Sequence, residues 1–263
     1  MRKALLGLIV FCTAGAAAFH LVTMPVTVPA SALPDHAPDP ANGKYMFTAG
    51  GCAECHAVPV SGCDDLKIKD AETLAGGRCL KTPFGTFNVP NISPDKVSGI
   101  GNWTTLDFVT AMKRGVAPDG SYLYPAFPYP SYQRMSYEDL IDLKAYLDSL
   151  PAVKSDVPPS ELRFPFNFRR GLGLWHLLYV EGKSFTPDPS VSAEINRGAY
   201  LVRGPLFGVP LLAQCLRRHR QGHRIRRSGE SRGQGRGAQY HAERRRHRRL
   251  ERRGHRLSAR NRK

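Results

Sequence analysis

The sequence predicts an all-α protein: one small helical domain behind an N-terminal export segment and ahead of a disordered, Arg-rich C-terminal tail. Three observations carry this expectation. Leu140, Leu143, Leu147 and Leu150 recur at spacings of three and four behind Ser136, an N-cap residue with Asp139 as a capping-box-like partner. An apolar run from Ala4 to Phe19 follows Arg2 and Lys3. The net charge of +16 is confined to one end: 19 of the 38 basic and 3 of the 22 acidic residues lie from Leu206 onward, so residues 1–205 are neutral.

A chain of 263 residues accommodates one large or two small domains. The layout read from composition is an export segment with a short linker over 1–39, a helical domain over 40–152 and a linker over 153–195. A second-domain start over 196–205 and an anomalous tail over 206–263 follow. Such a composition excludes a chain disordered throughout, a multi-span membrane protein and a protein basic over its whole length. The apolar run is short for a bilayer span, although Leu21, Val22 and Met24 extend it toward a single membrane anchor. Ala30-Ser31-Ala32 offers a cleavage signal, so cleavage and retention both stand. Phe11 is too bulky to precede a lipidated Cys12. The expected location is periplasmic, soluble or anchored to the inner membrane.

Gly50-Gly51-Cys52-Ala53-Glu54-Cys55-His56 contains Cys-x-x-Cys-His, the attachment pattern of haem c. Two thiols three positions apart reach the two vinyl groups on one porphyrin edge, and the next residue projects an imidazole at the iron. His56 is then the proximal ligand, with its other ring nitrogen donating to a backbone carbonyl. A redox Cys-x-x-Cys requires a preceding strand and a following helix, whereas a helical segment precedes this motif and a Pro-rich loop follows. A zinc site would have to use Cys63 and Cys79, whose spacing of sixteen does not suit it. These two cysteines can pair with each other, and Cys215 has no evident partner. For the sixth ligand, Met112 belongs to a helix-like segment whose apolar face accounts for it. Met135 sits on a Pro- and Tyr-rich loop just ahead of the Ser136 helix and is the expected ligand.

The domain over 40–152 resembles a cytochrome c domain, in particular the first domain of exported two-haem cytochromes that serve as electron-transfer subunits. The likeness rests on Asn42-Gly43-Lys44-Tyr45-Met46-Phe47, the haem motif, Thr82-Pro83-Phe84-Gly85-Thr86-Phe87 and Val89-Pro90-Asn91-Ile92-Ser93-Pro94-Asp95. It continues through Ile100-Gly101-Asn102-Trp103, Arg114-Gly115, Tyr124-Pro125-Ala126-Phe127-Pro128-Tyr129, Tyr132 to Met135 and Ala145-Tyr146-Leu147. Gly43 in an otherwise good helix fits a close helix crossing onto Tyr146 and Leu147. By resemblance, Asn91 and Trp103 hydrogen-bond the haem propionates, with core packing the plain alternative for Trp103. The resemblance implies one covalent haem c, electrons taken from a periplasmic dehydrogenase, and delivery to the respiratory chain. No nucleic acid is expected as a partner. A catalytic haem c enzyme, such as a peroxidase or a sulfur-compound dehydrogenase, is the alternative and would need an open sixth position.

The 153–195 linker, with Phe164-Pro165-Phe166, Trp175 and His176, reads as packed on the domain through its aromatics. Asn196-Arg197-Gly198-Ala199-Tyr200-Leu201-Val202 then echoes Ala41 to Phe47, yet no second haem motif follows. Shifting the codons of Leu206 to Leu211 by one base lets them read Cys-Leu-Gly-Cys-His-Ser. The same shift turns Glu230 to Ala242 into a stretch containing Val-Pro-Asn-Ile-Thr-Pro, and His247 to Leu250 into Ile-Gly-Asp-Trp. Residues from about 206 onward are therefore expected to be an out-of-frame translation of a second cytochrome c domain, with a second haem only if the frame is restored. Resequencing the coding DNA across Arg203 to Leu212 is expected to find two additional bases. An unchanged read would place the slip in the gene itself.

Overall fold

The computed structural model of the chain describes residues 2–207. The tail beyond Phe207, including Cys215 and nearly all of the expected out-of-frame segment, lies outside the described residues. Helix α1 spans Arg2–Val22 and buries none of its residues. A 3-10 turn at Ala30–Ala32 leads into α2, Pro40–Gly50. Asp39 caps α2 by accepting from the amides of Ala41 and Asn42, and Pro40 fills the first turn. Gly51, at φ 65°, ends α2 and starts the short helix α3, Cys52–His56.

After a long loop, α4 covers Thr105–Arg114 inside a full Thr104–Asp107 capping box. It stops at Gly115, φ 57°, where a Cβ would run into the Tyr129 ring. A single turn, α5 at Tyr129–Tyr132, precedes α6 at Tyr137–Ser149. In α6 the expected leucines Leu140, Leu143 and Leu147 are all buried, and Leu150 just beyond its end joins them. They meet Met46 and Phe47 of α2 and Phe108, Val109 and Met112 of α4 in one core.

The α2–α6 crossing is as close as Gly43 allows, because a Cβ there would lie 2.7 Å from Tyr146 Cβ and collide with the Asp142 carbonyl. Polar groups reinforce the crossing. Asn42 Nδ2 donates to Asp139 Oδ1 at 2.7 Å and to Asp142 Oδ2 at 2.8 Å, and His36 Nε2 lies 2.7 Å from Asp142 Oδ1. Ser136 caps α6 by accepting from the Asp139 amide at 3.1 Å. The reciprocal half of the expected box does not form. The Ser136 amide donates to the Tyr200 hydroxyl at 3.1 Å, and the Asp139 carboxylate accepts from that same hydroxyl.

Three short strands add to the helical fold. β1, Cys79–Thr82, and β2, Gly85–Asn88, form an antiparallel hairpin, and β3, Glu161–Leu162, brings the linker back as a third strand. Gly85, at φ 130°, has no room for a side chain, since a Cβ would lie 2.8 Å from Leu162 Cα. Thr82-Pro83-Phe84-Gly85 therefore makes the tight turn that helical periodicity could not reveal. Cys63 and Cys79 are joined by a disulfide with Cα atoms 5.0 Å apart, which also removes them from any zinc site.

The linker packs through its aromatics as expected. Helix α7, Leu172–Tyr179, sets Trp175 edge-on to Tyr129 and places His176 Nε2 3.0 Å from the Tyr129 hydroxyl. Helix α8, Ala193–Arg203, buries Tyr200 against the start of α6. Substituting Gly43→Ala should force α2 and α6 apart and cost about 1–3 kcal/mol. A chemical denaturation midpoint equal to that of the parent would show that the crossing tolerates a Cβ.

Candidate functional site

Helix α3 is little more than one turn long and places Cys52 and Cys55 three residues apart on one face, with His56 as its last residue. It exists because Gly51 redirects the chain from α2 and because the Ala57 amide closes onto the Ala53 carbonyl at 3.0 Å. Both thiols are free, in contrast to the bonded Cys63 and Cys79. Burial, assisted by the neighbouring Cys55, pushes the Cys52 thiol up to about 12. Burial also raises Cys55, against the opposing pull of Arg78. Both are therefore S–H groups at neutral pH, unlike the low-pKa thiolates of redox cysteines.

His56 Nδ1 lies 2.8 Å from the Pro90 carbonyl oxygen. Burial lowers its pKa to about 4, with the Pro90 bond opposing. The ring is thus neutral at physiological pH, Nδ1–H donates to Pro90, and the Nε2 lone pair is left for a metal. Gly76 makes this approach possible. Its amide donates to the His56 carbonyl at 2.8 Å, and a Cβ in its place would lie 2.6 Å from the Pro90 carbonyl carbon.

Asn91 follows directly, but its amide is taken up by the protein. Nδ2 donates to Ser98 Oγ at 3.1 Å and to the Val153 carbonyl at 2.6 Å, while Oδ1 accepts from the Ser93 amide at 2.8 Å. These bonds clamp this loop to the linker and use both N–H bonds of Asn91 within the protein. Trp103 is half-buried against the core, and its indole N–H makes no hydrogen bond among the described residues.

Met135 sits between α5 and α6. Its amide donates to the Tyr132 carbonyl at 2.9 Å, and its carbonyl accepts from Lys113 Nζ. Lys113 is buried on α4 and also donates to the Gln133 carbonyl at 2.9 Å and Ser184 Oγ at 2.6 Å. Burial brings its pKa down to about 8. The Met135 side chain is 1% exposed and packs next to Gly204, while Met112 is buried on α4. Ile92, Trp103, Leu106 and Phe127 are partly buried at the margin of the same core, as are Cys52 and Ala53.

Two residues that sequence reasoning passed over complete the site. Tyr132 donates its hydroxyl to the Gly50 carbonyl at 2.8 Å and so ties α5 to the α2–α3 junction. Arg78 is only 3% exposed, its Nε has no partner among the described residues, and the guanidinium lies close enough to Cys55 to lower its pKa. Its remaining contact is a 3.4 Å bond to the Leu66 carbonyl. A buried, unpaired cation is costly in isolation. The position of Arg78 beside an attachment cysteine fits a site built to receive a group with acidic substituents. No sequence periodicity marks it, because it lies in an irregular Gly-Gly-Arg-Cys stretch.

The sequence profile described as cytochrome c matches residues 40–151. A diheme cytochrome c-type protein of Cereibacter sphaeroides is 43% identical over 205 residues, covering 78% of this chain and 67% of that protein. The fructose dehydrogenase cytochrome subunit of Gluconobacter japonicus is 39% identical over 176 residues, 66% of this chain and 34% of that protein. The cytochrome c subunit of the quinone-dependent alcohol dehydrogenase of Gluconacetobacter polyoxogenes is 39% identical over 166 residues, 62% of this chain and 33% of that protein. The chain thus spans about two thirds of the first of these relatives and about a third of the other two.

A cation at Arg78 would disfavour the more positive oxidised state of an iron bound at the His56 imidazole. Arg78→Gln is therefore expected to lower the reduction potential, read by spectroelectrochemistry. A potential equal to the parent's would remove Arg78 from the site's electrostatics.

Proposed function

The chain belongs to the cytochrome c family, and on that premise we propose that it carries single electrons from a periplasmic dehydrogenase to the respiratory chain. It is an electron-carrier subunit rather than a catalytic one. Cys52 and Cys55 would hold one haem c covalently, and His56 and Met135 would supply the protein ligands to its iron. A second haem is expected only if the reading frame beyond Pro205 is restored, a reading supported by the diheme relative. The dehydrogenase partner is supported by relatives described as cytochrome subunits of dehydrogenases. Asn91 and Trp103 are the residues proposed to hydrogen-bond the haem propionates.

One observation carries the reading: two free thiols and a neutral imidazole, its Nδ1 locked 2.8 Å from Pro90, sit on a single turn of helix. When bound, the haem supplies an iron that gains and loses one electron, Fe(III) to Fe(II) and back, with no substrate bond made or broken. The protein residues do the rest. Each free thiol would supply the S–H for addition across a vinyl group, so that the atoms of both partners are kept in the thioether. The Pro90 bond keeps His56 in the tautomer that exposes Nε2. Lys113 pins the backbone of the Met135 segment at two carbonyls, limiting how far that segment can move when the charge at the iron changes.

The burial of Met135 favours a second reading, in which Met135 is a core side chain and another group faces the iron opposite His56. Met135→Ala separates the two. Ligation by Met135 requires a lowered reduction potential and an altered visible spectrum, whereas an unchanged potential and spectrum leave Met135 to packing. The haem claim itself rests on a denatured pyridine spectrum. A c-type signal is expected after expression with the maturation machinery, and Cys52→Ala with Cys55→Ala should abolish it. Its absence from the parent protein would end the reading.

A further inference from the structure

The foot of α1 is built into the folded domain. Thr23 is fully buried, and its carbonyl accepts from the Tyr122 hydroxyl at 3.0 Å. Arg170 donates to Thr23 Oγ1 at 2.9 Å and to the His20 carbonyl at 2.8 Å. Gly173 of α7 leaves the space Thr23 occupies, since a Cβ there would lie 2.8 Å from Thr23 Cα. Val28 is a core residue, and its amide donates to Thr110 Oγ1 at 3.3 Å. Cleavage after Ala32 would strip all of these away, leaving Tyr122, Arg170 and Thr110 without their partners.

Above this foot rises an apolar helix of 21 residues, none of them buried. At 1.5 Å per residue it is about 31 Å long, the thickness of a hydrocarbon core. Arg2 and Lys3 at its far end suit the cytoplasmic side, which places the folded domain on the exported side. Around the foot, the linker presents apolar groups that nothing among the described residues covers. Phe164 is 83% exposed and Leu178 76%, with Phe168, Leu177 and Tyr179 also in solvent. Phe168 stacks on Phe19 of α1 with centroids 6.1 Å apart, so this surface is continuous with the helix. Residues 163–180 carry three arginines and no acidic residue. Aromatic, aliphatic and arginine side chains together suit the headgroup region of an anionic bilayer.

We propose that α1 remains in the mature protein as a membrane anchor and that the 164–179 face of the linker rests on the lipid surface beside it. The bilayer is the partner of both. The anchor then holds the site at a set height above the membrane through the rigid foot at Thr23, and α7 serves as its footing.

The test uses the full chain expressed with haem maturation machinery, purified from membranes and also reconstituted in phosphatidylethanolamine–phosphatidylglycerol vesicles containing a diazirine phospholipid. The intact mass is expected to include residues 2–32, and the protein should resist an alkaline carbonate wash. Photo-adducts should map to α1 and to the 164–179 peptide. The double variant Leu177→Asp, Leu178→Asp should lose linker adducts at least tenfold and keep those in α1. A mass beginning at Leu33, or release into the wash, would overturn the anchor. Adducts confined to α1 in the parent protein would overturn the lipid-resting linker, whether or not the double variant folds. None of these readouts depends on haem redox activity.

Discussion

The close crossing of α2 on α6 at Gly43 is the constraint from which the site follows. Helix α2 ends at Gly50 and hands the chain through Gly51 straight into the turn bearing Cys52, Cys55 and His56. Helix α6 begins one residue after Ser136, so its position fixes the segment carrying Met135. Gly43 allows the two backbones to touch, and Asn42 then bridges Asp139 and Asp142 across the contact. Shape alone would leave the two helices free to slide, whereas this directional network sets their register.

Buried polar groups divide by whether the protein itself satisfies them. Asp142 receives bonds from Asn42, His36 and the Asp39 amide, which hold its carboxyl below the usual range against the opposing effect of burial. Asn91 is fully engaged, and Lys113 has three oxygen partners. Arg78 differs, since its Nε is left without a partner. Arg114 Nε is unmet as well, so it is the place of Arg78 next to the free Cys55 thiol that singles it out.

The linker links the domain at both ends. It returns to β2 as β3, wedges α7 against Tyr129 and grips the foot of α1 through Arg170 and Gly173. Asn91 and Ser93 close the same connection from the site side, through the Val153 carbonyl. A segment without helical periodicity thereby joins the Asn91–Ser93 loop to the N-terminal helix. Helix α8, the echo of α2, lays Tyr200 on Ser136 and Asp139, which explains why the capping box at the start of α6 is only half made.

Local chemistry was legible in the sequence because it needs only neighbours along the chain. The Cys52–Cys55–His56 spacing, the Ser136 cap, the leucine stripe of α6 and the need for glycine at position 43 all follow from helical geometry within a few residues. The mainly helical class followed from the same signals. Beyond the Cys63–Cys79 pair, what joins distant segments was not legible: the pairing of β3 with β2, the engagement of Asn91 by Val153, the unpartnered Nε of Arg78 among the described residues and the burial of Thr23. Each depends on which backbone and side-chain groups meet across tens of residues, and a hydrogen-bond donor carries no mark in the sequence of the acceptor that will reach it. The sequence by itself therefore determined the attachment chemistry and the helices that bear it. Only the tertiary structure decided which polar groups were left without protein partners among the described residues and that the Thr23–Val28 segment is built into the core, because desolvation and long-range partnering arise only once the chain has closed on itself.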